Sequence, residues 1–489
     1  MSKKKIIVSL FGLIFFKLLK IKIQPSKISC LLFSFVPLCI IRKKNNSYQF
    51  RLLGFIPFFK ITSITNSYER KDDEKKDEET DNIETIITKR ILLERRYETF
   101  ENNGKIIEDN KIRILFDGIS LQYSWERGIG FYAYGLFCGL KENTDYQITL
   151  LFDKNDKKLW QNNLIKDVPY IFTDELENFI DKPFDFFMSG DIYCTQTTKK
   201  YHIPKSLFYQ SIGVVHDIIP TLFPSEPECQ WSQRRNISGI KSILQTDHIL
   251  ANSFQTKYDI VKFVGVSPKK ISVIYGGPNE MLTATLAEVS NINTVTNNLV
   301  SILDNSSRKN YIKTTEAFVL AYKTGKIPHD SRFVIACKLS DDIIHKIMEI
   351  VPKELQNIVV TSTEFIPQIE LVKLLKQARA TIYASLYEGL GMPVLESYVV
   401  GTPCITANAS STRELAPPEC LVNPSDVNEI AEKIIAIYND EELREKSLSF
   451  GKKLLIEKCN WNTVAEKVDK ILKDMKSARE STWKELINE

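Results

Sequence analysis

From Lys111 onward the chain alternates short, continuously apolar, β-rich runs with helical segments, and this rhythm limits its fold more than any other feature. The runs are IRILFD (112–117), YQITLLF (146–152), PFDFFM (183–188), SIGVVHD (211–217), DHILANS (247–253) and KISVIY (270–275). A second series follows: NLVSIL (298–303), SRFVIAC (331–337), NIVVTS (357–362), ATIYAS (380–385), TPCITA (402–407) and ECLV (419–422). A strand with one wet face alternates apolar and polar residues. Most of these do not, so both their faces are buried, as in a parallel sheet covered by helices. Two series predict two doubly wound α/β lobes joined near residues 276–297. The length of 489 residues agrees, being too great for one core at roughly 150 residues per domain. Ligands of such sheets sit beyond the carboxyl ends of the strands, so the loops there are the place to look for chemistry.

The first 68 residues differ in character. They hold twelve Lys/Arg and no Asp or Glu, so with a net charge of +4 for the whole chain the remainder carries −8. Apolar runs at 6–16 and 28–41 interleave with those charges, and neither reaches the roughly 20 residues of a spanning helix. The first follows Lys3, Lys4 and Lys5 as a secretory signal would, but no small-x-small cleavage site precedes Lys17 and Lys20. Residues 1–68 are expected to lie on an anionic membrane surface, with the folded body as the other place the runs could pack. Basic residues mixed with Phe, Leu and Ile suit lipid rather than nucleic acid, and the rest of the chain shows no comparable basic stripe. In 69–81 almost every residue is charged, which marks a solvated linker, and 83–100 regains helical spacing through Ile83, Ile86, Ile87 and Ile91. The nine cysteines form no CxxC pair and have no histidine at zinc spacing, as expected of reduced thiols in a cytoplasmic protein.

The most informative stretch is SLYEGLGMPVLESYVVGTPCIT (385–406). A strand ends, Gly389 and Gly391 make a tight loop, and Pro393 suits the first turn of a helix that Gly401 can close in the left-handed conformation. A glycine loop feeding a helix start presents free backbone N–H groups and the positive end of the helix dipole, a natural seat for phosphate. Glu388 and Glu396 flank this seat. Carboxylates there would repel a diphosphate at close contact, but they are useful if each accepts hydrogen bonds from hydroxyls, one from a hexose and one from a ribose. That combination describes a nucleotide sugar. The plain reading is a helix start with the acidic residues that its dipole favours.

EGLGMPVLE, with seven residues between the two glutamates, resembles the signature of retaining glycosyltransferase family four. RKN (308–310), TEFIPQIELVKLLKQARATIYASLYEG (363–389), GTPCIT (401–406), SSTRELA (410–416), VNPSD (422–426) and Trp461 follow in that family's order. In the first series VVHDIIP (214–220), ILANSFQTKYDI (249–260) and KISVIYGGPN (270–279) do the same, so the likeness spans about residues 111–475. It implies a GT-B fold, with a Rossmann-like acceptor lobe over 111–285, a nucleotide-sugar donor lobe over 286–460, and a helix over 461–489 returning to the first lobe. Residues 69–110 would link these to the basic head.

The resemblance also assigns roles. Glu388 would meet donor-sugar hydroxyls beside the amides of Gly389, Leu390, Gly391 and Met392, and Glu396 would hold the ribose. Lys309, with Arg308, would neutralise the diphosphate. Phe365 lies where the family's backbone meets the base, Ser410 and Ser411 lie near the phosphates, and His216 would reach the sugar from the first lobe. Gly128 and Gly130 resemble the family's glycine loop, where a missing side chain lets donor and acceptor approach. One departure stands out: DNSSRKN (304–310) has no glycine where the family usually has one, so a phosphate contact is absent or has moved to Arg308. Glu388, as a loop carboxylate, is expected to be dispensable for the fold.

The implied function is transfer of a hexosyl group from a nucleoside-diphosphate sugar, with retained configuration and no metal or other cofactor, since no DxD or carboxylate pair is present. The acceptor would be a glycan or lipid-linked glycan in bacterial surface polysaccharide or lipopolysaccharide assembly, at the inner face of the cell membrane. GDP-mannose and dTDP-rhamnose are the donors suggested by HDIIP with RKN. Rival readings are another GT-B enzyme, such as a sugar-nucleotide epimerase or a sucrose- or glycogen-type synthase, and a non-catalytic scaffold built on degenerate lobes.

Overall fold

The computed structural model describes five strands within residues 20–62 and, apart from 125–127, 156–167, 180–182, 193–202, 204, 225–232 and 293, residues 111–488. The chain divides into two units, Met1–Glu94 and Arg95–Glu489.

In the first unit, β1 (Lys20–Gln24), β2 (Lys27–Leu31), β3 (Pro37–Lys44), β4 (Ser47–Leu52) and β5 (Lys60–Thr62) form an antiparallel meander in chain order. The apolar run at 28–41 is therefore shared between two paired strands, with Cys30 opposite Cys39. The run at 6–16, the linker at 69–81 and the expected helix at 83–100 lie outside the described residues.

The second unit contains two parallel sheets. One holds β6 (Arg113–Asp117), β7 (Gln147–Phe152), β8 (Tyr170–Phe172), β9 (Phe184–Ser189), β10 (Phe208–Val215), β11 (His248–Ala251) and β12 (Ile271–Val273), in the order β12-β11-β10-β9-β6-β7-β8. The other holds β13 (Asn298–Ser301), β14 (Arg332–Lys338), β15 (Val359–Ser362), β16 (Ala380–Tyr383), β17 (Cys404–Ala407) and β18 (Leu421–Val422), in the order β15-β14-β13-β16-β17-β18. Each of the twelve runs named above contains a strand. The added one, β8, is a three-residue edge strand too short to carry a pattern. Strand interiors such as Ile114, Phe116, Val214, Leu250, Leu299 and Ile382 are fully buried, as sheets covered on both faces require.

The helices that matter for the site are α1 (Gly128–Asn143), α2 (Gln233–Gln245), α3 (Phe254–Asp259, continued by a π-turn over Ile260–Val264), α4 (Tyr311–Lys323), α5 (Met392–Val399) and α6 (Trp461–Asn488). α6 follows the last helices of the second lobe in sequence but packs on α1 of the first. Two small residues make room: a Cβ at Gly135 would meet the Trp461 indole and one at Gly139 the Trp461 backbone. The Trp461 indole N–H donates to the Pro278 carbonyl at 2.9 Å, and Arg479 pairs with Asp185 at 2.7 Å.

In the second sheet the order reverses between β13 and β16. Their two following loops, 302–310 and 384–391, therefore diverge to opposite sides and leave a crevice between them. Lys309 and Glu388 lie on those two loops.

Candidate active site

The loop after β16 is held in shape before any ligand is considered. Gly391 adopts φ +103°, a left-handed conformation that suits glycine, and it caps α5, which has Pro393 in its first turn. Gly401 ends the segment at φ +82°. Ser410 Oγ accepts from the Glu388 N–H at 2.9 Å, and Ser411 Oγ lies at 2.9 and 3.0 Å from the Glu388 and Leu390 carbonyls. Both serines thus brace the backbone of the loop. The backbone N–H groups from Gly389 to Met392 have no acceptor among the described residues and stay available at the start of α5. The Leu390 side chain is in the core, so only its backbone can serve a ligand.

Across the crevice, Asn310 takes φ +59° and donates to the Ala384 and Pro424 carbonyls at 2.9 and 2.7 Å, tying the start of α4 to the end of β16. In place of the missing glycine, the Asp304 carboxylate accepts from the Ser306 N–H at 2.8 Å, an aspartate-stabilised turn.

This scaffold brings four side chains together. Glu388 Oε1 lies 2.9 Å from Arg308 Nη1 and 2.9 Å from Lys309 Nζ, and accepts from the Tyr383 hydroxyl at 2.9 Å. Lys309 Nζ also donates to that hydroxyl at 2.5 Å, and Arg308 Nη1 to the Tyr387 carbonyl at 3.0 Å. Asp304, largely exposed, stands 3.7 Å from Lys309 and 3.9 Å from Arg308. Burial pushes the Glu388 carboxyl up, but Lys309 and Arg308 outweigh it and hold the group below its ordinary value. Glu396, on α5, has no ion pair or side-chain hydrogen bond among the described residues. Burial alone raises it to about 7. Two carboxylates on one loop and helix are thus tuned in opposite directions, one fixed as an anion and one poised to change charge.

The first lobe closes against this loop. His216, at the end of β10, places Nε2 at 2.9 Å from the Gly190 carbonyl and its ring edge-on to Tyr132, 4.9 Å between centroids. A Cβ built on Gly389 would lie 2.1 Å from the His216 carbonyl oxygen. The Gly389 carbonyl accepts from Ser253 Oγ at 2.6 Å and Thr256 Oγ1 at 3.1 Å, and Tyr387 donates to Asp259 at 2.5 Å. The Glu414 carboxylate accepts from the Phe254 and Gln255 N–H groups at 3.0 and 2.9 Å, so a residue of the second lobe caps a helix of the first. Gly389→Ala is expected to force the lobes apart, because the obstacle is backbone that cannot rotate away. Small-angle scattering should show a larger radius, and the thermal transition should fall by the equivalent of about 1–3 kcal/mol; an unchanged radius and transition would show that this contact is not maintained in solution.

Other expected site residues stand apart. Phe365, on the loop after β15, is 76% exposed. Gly130 is buried in α1. Among the described residues, neighbours in the chain and in its own helix aside, nothing lies within 4 Å of a Cβ built on Gly128, so packing against them does not demand glycine there. Among the described residues no group of His, Cys, Asp or Glu is arranged to hold a metal ion.

Tyr383, Asn310 and Asp304 were not singled out by sequence. Tyr383 reads as one more aromatic in a buried strand, and only the strand ending at that point hints that its hydroxyl faces the crevice.

Residues 345–453, which include α5 and its loop, match the family model described as glycosyl transferases group 1. Over that segment the chain is similar to the group 1 glycosyl transferases. Among curated relatives, O-antigen chain mannosyltransferase B of Escherichia coli is 32% identical over 105 residues, covering 20% of this chain and 28% of that protein. O-antigen chain mannosyltransferase RfbU of Salmonella typhimurium is 27% identical over 251 residues, 49% of this chain and 63% of its own. The match thus spans less than two thirds of each. Among solved structures, the HepE protein of Anabaena, crystallised with UDP and glucose, superposes with a TM-score of 0.55 at 15% identity over 74% of this chain and all of that one. Sucrose-phosphate synthase from Thermosynechococcus elongatus gives 0.56 at 16% identity over 75% and 100%. Together with the two parallel sheets, these superpositions show a GT-B fold.

Proposed function

We propose that the protein transfers a hexosyl group, with mannosyl the first candidate, from a nucleoside-diphosphate sugar to a glycan or lipid-linked glycan in bacterial surface polysaccharide assembly. The observation that carries the reading is the buried cluster of Arg308, Lys309, Tyr383 and Glu388 beside the open amides of residues 389–392. Two fixed cations and a helix start can take the charge of a departing diphosphate, which makes a protein-bound metal unnecessary for that task. Glu388 is anionic and able to accept from sugar hydroxyls once the diphosphate engages its cations. The leaving phosphate oxygen would take the proton of the incoming hydroxyl, a route to retention that calls on no protein nucleophile. The mannosyltransferase relatives support the choice of sugar and setting. Residues 1–68 would hold the enzyme at the inner face of the membrane.

Membranes carrying the natural lipid-linked glycan, supplied with radiolabelled GDP-mannose, dTDP-rhamnose or UDP-glucose, should acquire label from one donor only, and equally in EDTA. Absence of transfer and of donor hydrolysis with every donor would favour the scaffold. Activity abolished by EDTA and restored by Mn²⁺ or Mg²⁺ would overturn the metal-free reading.

Glu396 supplies a pH signature. If a ribose hydroxyl donates to its carboxylate, the nucleotide prefers the ionised form, so the contact is complete above about pH 7 and fades as the pH falls below that value. Nucleotide affinity of the parent should therefore drop on acidification more steeply than that of Glu396→Gln; comparing the two removes the ligand's own phosphate ionisation. Parallel pH profiles would exclude Glu396 from the contact.

A further inference from the structure

We propose that the outer face of α2 and of α3 with its π-turn is a docking surface for an anionic phospholipid membrane. Both segments cover one side of β11 and β12. Ile243 of α2 and Ile260 of the π-turn share a buried cluster with Ile249, Ala251 and Ile271, alternate residues that point to that side. Their opposite faces carry large apolar side chains in water: Ile237 is 72% exposed, Leu244 53%, Tyr258 54% and Phe263 51%. Lys241 lies between the first two on the helix. The Lys262 ammonium sits 5.2 Å and 5.1 Å from the Tyr258 and Phe263 ring centroids, and Lys269 and Lys270 are exposed just beyond. Between residues 236 and 274 there are five lysines against two aspartates, and Asp259 is turned inward onto Tyr387 and Gln255. The sequence hid this face because its residues come from separate elements on a body that is acidic as a whole.

Charge complementarity chooses the occupant. A basic rim around exposed aliphatic and aromatic groups matches an anionic headgroup layer over hydrocarbon, into which the lysine stems can extend while their ammonium groups stay at the phosphates. The basic segment 1–68 would be repelled, and a nucleic acid would leave Ile237 and Leu244 without a partner. The inner side of α3 meets the site loop through Ser253, Thr256 and Asp259, so lipid docking would set the crevice at the bilayer surface. That purpose rests on the proposed lipid-linked acceptor; the binding test does not need transfer to occur.

In the full chain, Phe263→Trp should add fluorescence that is quenched by brominated acyl chains in vesicles containing phosphatidylglycerol. Reversing Lys241, Lys262, Lys269 and Lys270 to Glu should weaken binding to such vesicles by about tenfold or more. The same change at the second-lobe residues Lys323, Lys346, Lys353 and Lys452 should alter it by less than about twofold. Nucleotide binding serves as the check on folding for every variant. Indole emission at position 263 that is unquenched while the protein is on the vesicle, or equal affinity of both sets of reversals, would overturn the proposal and leave the catalytic reading untouched.

Discussion

Replacing Glu388 by glutamine is expected to lower sugar transfer by about 10²–10³-fold, ~3–4 kcal/mol of transition-state stabilisation, while nucleoside-diphosphate binding tightens. The two effects share one cause. In the donor-free protein the Glu388 carboxylate already neutralises Arg308 and Lys309, so it competes with the diphosphate for the same cations. Glutamine keeps an acceptor for the Tyr383 hydroxyl but gives up the charge, leaving the cations to the ligand. The variant should also be less stable by about 3–5 kcal/mol without ligand, because the buried Lys309 and the half-buried Arg308 lose their closest carboxylate and retain the exposed Asp304 and, for Arg308, the more distant Asp217. As a loop carboxylate Glu388 looked dispensable for the fold; its burial and pairing contradict that. Scanning calorimetry with and without nucleoside diphosphate, beside steady-state transfer, reads all three effects. A variant that is slower but binds nucleotide no better would mean that Glu388 does not share cations with the donor.

Lys309→Ala is expected to weaken nucleotide affinity by about 1.5–3 kcal/mol, roughly ten- to a hundredfold, with the fold retained because Glu388 keeps Arg308 as its partner. Arg308→Ala should cost less affinity, since that guanidinium also donates to the Tyr387 carbonyl and acts partly as a brace of the loop. Calorimetric titration of both variants with GDP, UDP and dTDP gives the two losses and identifies the base. A greater loss in Arg308→Ala would show that Arg308 has taken over the phosphate contact that the glycine-free turn lacks. Unchanged affinity in both variants would move the phosphates elsewhere.

The sequence by itself determined the two parallel sheets, because a strand buried on both faces must be apolar at every position, and that demand is written in consecutive residues such as Val214–Val215 and Leu299–Val300. It also determined the turn at 388–393, since a left-handed φ selects Gly391 and a helix start tolerates Pro393. Where the pattern ran over few residues it said less: β8 is three residues long, and the alternation of KIKIQ in β1 is a strand signal that counting apolar run lengths passes over. What only the tertiary structure decided is who meets whom. The reversal of strand order between β13 and β16 places Lys309 against Glu388, makes Tyr383 the bridge between them, puts the His216 carbonyl where a side chain at position 389 would stand, and gathers lysines from separate elements onto one face. Periodicity records how deeply each residue is buried; the charge, pKa and clearance of a site depend on atoms that come from distant parts of the chain, and those are fixed by the order in which the strands pack.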